Sequence, residues 1–302
     1  MPELITSSSN PKIKTLLALQ QKSSARRERG LFVVEGRREL QHCIDAGFTV
    51  DTVFVCGSLF FAPQGGQLPP ETSGYAGPLP PDGGPLPLTM PRVARFLGAV
   101  ATTASPNSQE AKVFEVDEHV YAKISYREGT EGIIAEVRTP ERRLEDIVLP
   151  ENPLVMVLER VEKPGNLGAV LRSADAAGAD AVLVCDPLTD LWNPNLIRAS
   201  IGAVFTVPCV ACSSADAIAF LKARGIRILT AQLQDSSLYY DCDMTVGTAL
   251  VMGTEATGLT PVWREAADAH IRIPMLGRLD SLNVSVSAAI LLFEAVRQRQ
   301  DG

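Results

Sequence analysis

The chain alternates short apolar runs with amphipathic stretches. LFVVEG (31–36) leads into the helical pattern RRELQHCIDAG, ended by Gly47, and then into strand-like DTVFVC (51–56). Further on, KVFEV, DEHVYAKIS and EGIIAEVR resume this rhythm, with Asp117 as the expected N-cap of the helical stretch. From about residue 150 the alternation becomes more regular: strand PLVMVLER, helix GAVLRSADAAG, strand DAVLVCD, helix NPNLIRASIGA, strand VFTVPCV, helix SADAIAFLKARG, then strands IRILTAQ and TALVMG. Strand runs that are apolar on both faces and separated by helices predict an α/β fold with a buried, mostly parallel sheet flanked by helices. The last stretch, SLNVSVSAAILLFEAVRQRQ (281–300), alternates locally like a strand. Its length decides for one long amphipathic helix, because Leu282, Val286, Ala289 or Ile290, Phe293 and Val296 recur at helical spacing.

Breaks in this pattern divide the chain. Residues 63–91 hold nine Pro and six Gly in 29 positions, too many for a packed core, so about 61–110 is expected to be a flexible insertion within a smaller N-terminal α/β domain spanning 1–140. The charged, proline-bearing segment TPERRLEDIVLPENP separates the two apolar regimes, which places a linker at 141–152 and a second domain at 153–302.

Composition narrows the class. With 302 residues, 46 % of them hydrophobic, the chain can bury two cores. It shows no secretory leader and no apolar run near the roughly 18 to 20 residues that span a bilayer, so a cytoplasmic protein is expected. Six cysteines stand in apolar contexts, where free thiols act as small core hydrophobes. Cys209-Val-Ala-Cys212 has ligand spacing but no second pair, so no metal is expected. The net charge of −7 argues against nonspecific nucleic-acid binding. Residues 1–40 nevertheless carry a local excess of four positive charges, either a solvated helix face or a polyanion surface.

Candidate chemistry sits in three loops after strands of the second domain. The first, VEKPGNLGAVLRS, has glycines at a strand-to-helix turn, but Gly165 and Gly168 fit neither the dinucleotide fingerprint nor a P-loop. It carries instead Asn166 and Arg172. These are either a helix cap and an i, i+3 partner of Asp175, or a fork for a phosphate or carboxylate and the group that holds it. The second loop runs Gly253-Thr-Glu255-Ala-Thr-Gly258, and the third runs from Ile273 through Ser281, Leu282 and Asn283. Each has a plain reading as turn or cap, while three polar loops at strand ends of one parallel sheet together favour a ligand crevice.

The three stretches PGNLGAVLRSADAAGAD, VMGTEATGL and IPMLGRLDSLNVSVSAAILLFEAVRQ resemble, in order and spacing, the motifs of the SpoU (TrmH) family of RNA 2'-O-ribose methyltransferases, over 153–299. Lys163 departs from the Asn that many members have before the proline. LFVVEGRREL and EHVYAKIS with EGIIAEV are similar to the family's ribosomal-protein-like substrate-binding domain, without the insertion. The resemblance implies a trefoil-knotted C-terminal domain, S-adenosylmethionine as cofactor, RNA as partner (ribosomal rather than transfer RNA, and no DNA or membrane), and a homodimer. It implies that Arg172 activates the ribose hydroxyl or clamps the adjacent phosphate, that Asn166 orients it, that Glu255 holds the loops together, and that Ser281 and Asn283 contact cofactor or nucleotide. Backbone groups of Gly253, Ile273 and Leu282 would meet the adenosyl moiety. The competing readings are a transfer-RNA ribose methyltransferase and an inactive RNA-binding protein of the same fold. A nicotinamide-dependent oxidoreductase fails on the glycine pattern.

Because the Pro/Gly-rich segment is expected to lie outside any core, replacing residues 64–90 with a short linker should leave the melting temperature nearly unchanged. A loss of several degrees in a thermal melt would show that the segment packs.

Overall fold

A computed structural model of the chain describes residues 3–60, 111–126, 131–254, 257–278 and 281–300. The Pro/Gly-rich insertion expected at about 61–110 therefore lies outside the described residues. The chain divides into two compact units, Met1–Pro140 and Glu141–Gly302.

In the first unit the elements are β1 (Glu3–Ile5), α1 (Pro11–Gln21), α2 (Ser23–Arg29), β2 (Leu31–Glu35), α3 (Arg37–Asp45), β3 (Val50–Val55), α4 (Gly57–Phe60), β4 (Lys112–Val116), α5 (Glu118–Ile124) and β5 (Ile133–Arg138). The strands form one sheet in the order β1-β4-β3-β5-β2, parallel through β1, β4 and β3 and antiparallel on both sides of β5. Asp117 caps α5 by accepting from the Val120 N–H at 2.7 Å, as its sequence context predicts. The basic N-terminal segment becomes α1 and α2. Asn10 caps α1, Pro11 opens it, and Ile13, Leu16 and Leu19 pack with Val33, Phe54 and Tyr121 into a core.

A carboxyl group is buried within this sheet. Glu136 lies on β5 opposite Val33 and Thr52, and its Oε1 has no hydrogen-bond partner among the described residues. Burial, then the nearby Asp51 charge, push its carboxyl up to about 7, against smaller opposing effects of Arg29 and Lys112.

The second unit is a seven-stranded sheet, every adjacent pair parallel, in the order β10-β12-β9-β11-β6-β7-β8. Its elements are β6 (Leu154–Glu159), α6 (Pro164–Ala176), β7 (Ala181–Cys185), α7 (Pro194–Ser200), α8 (Ala203–Thr206), β8 (Cys209–Cys212), α9 (Ser214–Ala223), β9 (Arg227–Ala231), β10 (Ser237–Leu238), β11 (Thr248–Met252), α10 (Pro261–Ala266), β12 (Ala269–Arg272) and α11 (Val284–Gln300). On one face Val155, Val157, Leu183 and Val251 pack with Phe220, Leu221 and Trp263 of α9 and α10. On the other, α6 packs against both α7 and α11. Gly168 makes the first of those contacts possible, since a Cβ there would lie 2.6 Å from the Ala199 Cβ. It serves helix packing rather than a phosphate. Arg299 pins the end of α11 to the start of the sheet by donating to the carbonyls of Asn152, Pro153, Met244 and Val246.

Three sequence expectations change. The run VFTVPCV is not one strand: Val204 and Phe205 are buried in the single-turn α8, and β8 begins only after Pro208, whose ring nitrogen cannot donate to the ladder. Segment 141–152, expected to be a linker, packs onto the second unit. Leu144 and Ile147 join its core, and the Arg142 guanidinium donates to the carbonyls of Val204 and Cys209. In the last helix the buried stripe is Val284, Ala288, Leu291, Leu292 and Ala295, whereas Leu282, Val286 and Phe293 of the expected stripe are 40 %, 47 % and 49 % exposed. The helix is apolar on two faces, and spacing alone does not say which one the sheet takes.

Glu136 gives the first unit a defined pH response. Its folded value lies above the ordinary carboxylate value, so its contribution favours folding at acid pH and is lost as pH rises through about 7. Glu136→Gln should therefore gain stability relative to wild type between pH 5 and pH 8, by on the order of 3 kcal/mol at the upper limit. Paired thermal melts across that range would show a widening gap, and a gap independent of pH would contradict the assignment.

Candidate active site

The chain runs outward from β6 to β7 and β8, then crosses to the other side of β6 to form β9, with β11 later filling the place beside it. The order thus reverses between β6 and β11, and in open parallel sheets the crevice beyond the strand ends at such a reversal is where ligands bind. A cavity lies there, lined by residues 158–163, Asn166, Met252, Gly253, Thr254 and Val284. It brings together the loop after β6, the loop after β11 and the start of α11.

Two sets of hydrogen bonds hold these pieces in register. Glu159 ends β6 only 2 % exposed, and its carboxylate accepts from the Thr260 N–H at 2.8 Å and the Thr260 hydroxyl at 2.5 Å. That anchors the far end of the loop leaving β11. The loop closes on itself: Thr254 and Gly258 exchange backbone bonds of 3.2 and 3.0 Å, and the Thr257 N–H donates to the Thr254 hydroxyl. Gly258 takes a φ of +68°, and a Cβ on Gly253 would sit 2.3 Å from the Gly258 carbonyl carbon. Both glycines are required by this turn.

The second link joins the first and third loops. Asn283 caps α11, its Oδ1 accepting from the Ser285 N–H and hydroxyl and its carbonyl from Val286 and Ser287. With Oδ1 committed to the cap, the amide nitrogen points outward and donates to the Asn166 Oδ1 at 3.2 Å. Asn166 stands in the first turn of α6, which begins at Pro164 with Lys163 as its cap residue.

The capping-and-pairing reading of the first loop is not realised. Asn166 is inside the helix, and Asp175 accepts from the Thr206 hydroxyl at 2.8 Å. Arg172 is exposed and its guanidinium makes no hydrogen bond or ion pair among the described residues. Six residues beyond Asn166, it lies about 120° around the helix, and it does not line the cavity.

The remaining expected residues divide. Gly253 lines the cavity, whereas Ile273, Ser281 and Leu282 lie on the segment between β12 and α11 and are not in its wall. Glu255 lies outside the described residues. Sequence reasoning missed Glu159, Thr260 and Arg160. The signal for the first was present, as a carboxylate closing the otherwise apolar run LVMVLE in a buried strand cannot be solvated there and must find a partner.

Hydrogen bonding to Cys212 at 3.9 Å, then burial, push the Cys185 thiol well above its usual range, and burial pushes Cys209 up to about 12. Among the described residues no group of three or more His, Cys, Asp or Glu is placed to hold a metal, and no helix is long and apolar enough to cross a membrane.

Comparison with known proteins agrees with this architecture. Residues 153–293 match the model of the SpoU rRNA methylase family, and residues 10–72 match an MRM3-like substrate binding domain. The chain is 36 % identical over 219 residues to the 23S rRNA (guanosine-2'-O-)-methyltransferase RlmB of Pseudomonas putida, covering 70 % of this chain and 85 % of the relative. It is 29 % identical to the 23S rRNA (guanosine(2553)-2'-O)-methyltransferase RlmP of Bacillus subtilis, covering 68 % and 82 %. Among solved structures, an AdoMet-bound rRNA methyltransferase from Sinorhizobium meliloti superposes with a TM-score of 0.79 at 28 % identity, over 98 % of this chain and 97 % of that one. With three ordered loops converging where the strand order reverses, and with a relative of this identity matched over most of its length, the chain belongs to the SpoU rRNA methylase family.

Proposed function

We propose that the protein methylates the 2'-hydroxyl of a ribose in ribosomal RNA, using S-adenosylmethionine. The observation that carries this reading is the Asn283 to Asn166 hydrogen bond, which ties the first and third loops beside the cavity at the strand-order reversal. The cavity wall suits such a cofactor: Leu158, Met252 and Val284 give apolar surface, Asn166 and Thr254 give neutral polar groups, Arg160, Glu162 and Lys163 add charged ones, and no glycine-rich P-loop is present to cradle a pyrophosphate. Backbone groups of Gly253, Ile273 and Leu282 would hold the adenosyl part, and Glu255 would hold the loops around it. When bound, the cofactor supplies an electrophilic methyl group on a sulfonium.

The work left to the chain is positioning, together with making a weakly acidic hydroxyl nucleophilic. Arg172 offers a planar fork of N–H donors that matches a phosphate. Its role is to clamp the neighbouring RNA phosphate and stabilise charge developing on the ribose oxygen, or to pass the proton through that phosphate. Asn166, held by Asn283, orients the substrate side, and Ser281 contacts cofactor or nucleotide. Ribosomal RNA as substrate follows the activities of the RlmB and RlmP relatives. A trefoil knot made by the last loops and helix, and a cytoplasmic location, complete the reading.

The reading includes a homodimer. Arg172 lies off the cavity of its own chain, and Val286 and Phe293 leave an apolar stripe of α11 exposed. A second copy covering that stripe would bury it and bring in the missing cation.

Two measurements test this. Arg172→Ala should lower methyl transfer to unmodified 23S ribosomal RNA by roughly 100-fold or more while calorimetric S-adenosylmethionine affinity and melting temperature stay near wild type. Turnover close to wild type would refute the role. In sedimentation, wild type should run as a dimer and Phe293→Glu as a monomer, and a monomeric wild type would refute the assembly.

A further inference from the structure

We infer that Arg160 is a substrate-positioning residue that binds a phosphate of the RNA strand entering the site, an inference that rests on the ribosomal RNA reading above. Arg160 follows Glu159 directly and lines the cavity. Its backbone is fixed in the left-handed region, with φ +53°. Neighbours hold it there: its N–H donates to the Cys185 carbonyl at 2.8 Å, and Leu188 donates to the next carbonyl, that of Val161, at 3.2 Å. Glycine takes that conformation without steric cost, whereas an L side chain does not. Nothing in the fold repays the arginine, because its guanidinium is exposed and makes no hydrogen bond or ion pair among the described residues. A strained residue whose side chain serves no internal contact, at the rim of a ligand crevice, is placed for a ligand.

The chemistry and position select that ligand. A guanidinium offers a planar fork of donors that matches a phosphate diester. The backbone bond to Cys185 sets Arg160 on the β7 side of β6, whereas the backbone groups proposed to hold the adenosyl part, those of Gly253, Ile273 and Leu282, follow β11 and β12 on the opposite side. The neighbouring charges are Glu159, whose carboxylate is occupied by Thr260, and the exposed Glu162 and Lys163. Arg160 thus presents a cation to a polyanion at the β7 rim of the crevice.

Initial rates of methyl transfer to unmodified 23S ribosomal RNA made by transcription, measured across a series of KCl concentrations, test the assignment. Arg160→Gly should raise the KM for RNA about tenfold, with a much smaller change in kcat, and should flatten the salt dependence by about one phosphate contact. Arg160→Lys should recover part of the loss. The glycine variant should melt no lower than wild type, which separates substrate binding from a structural role. An unchanged RNA KM and salt slope would overturn the inference, as would a lowered melting temperature or a loss appearing instead in calorimetric S-adenosylmethionine affinity. Absence of transfer by the wild type would overturn the ribosomal reading, and this inference with it, and would show equally in every variant.

Discussion

The arrangement of the second unit depends on a carboxylate that has been taken out of water. Glu159 sits at the end of the central strand, and its two oxygens are satisfied by one residue, Thr260, on the loop leaving the adjacent strand. Bonds to a charged acceptor contribute roughly 1.5 to 3 kcal/mol each, and losing them would strand a buried charge at a larger cost. The Glu159–Thr260 pair therefore constrains where the 253–260 loop can lie. The strand-order reversal opens the crevice, this pair fixes one wall of it, and the Asn283 to Asn166 bond sets the third loop against the first.

The same constraint explains why the side chains around the cavity are of such different kinds. Close approach of backbone to backbone demands glycine at Gly253 and Gly258. Helix-to-helix contact demands it at Gly168, with no ligand involved. Asn283 divides its amide between capping its own helix and reaching Asn166. Arg160 in the cavity wall and Arg172 farther along α6 are exposed cations, which suits a site that meets a polyanion from solvent.

Much of this was legible in the chain. Apolar runs at 154–159, 181–185 and 248–252 marked buried parallel strands, because only a strand covered on both faces tolerates such composition. Asp117 announced its cap, and the sequence alone places the three loops at strand ends. What escaped were features decided by tertiary context. The short strands Glu3–Ile5 and Ser237–Leu238 carry too few residues to show a period. The run at Val204 and Phe205 is apolar whether it forms helix or strand, and only Pro208 marks the change. The last helix has two apolar stripes, so choosing the buried one required the sheet itself. Arg172 could be placed on a helix but not relative to the cavity, since that depends on how the helix is rotated in its packing between α7 and α11.

The central claim is that the loops after β6 and β11 and the segment leading into α11 form one cofactor site at the strand-order reversal. Amide hydrogen exchange, followed by peptide with and without saturating S-adenosylmethionine, tests it most directly. The account predicts slowed exchange in 159–166, 253–260 and 273–284, with the rest of the sheet unchanged. Protection confined to the first unit, or to the loops beyond β7 and β8, with those three segments unaffected, would contradict it.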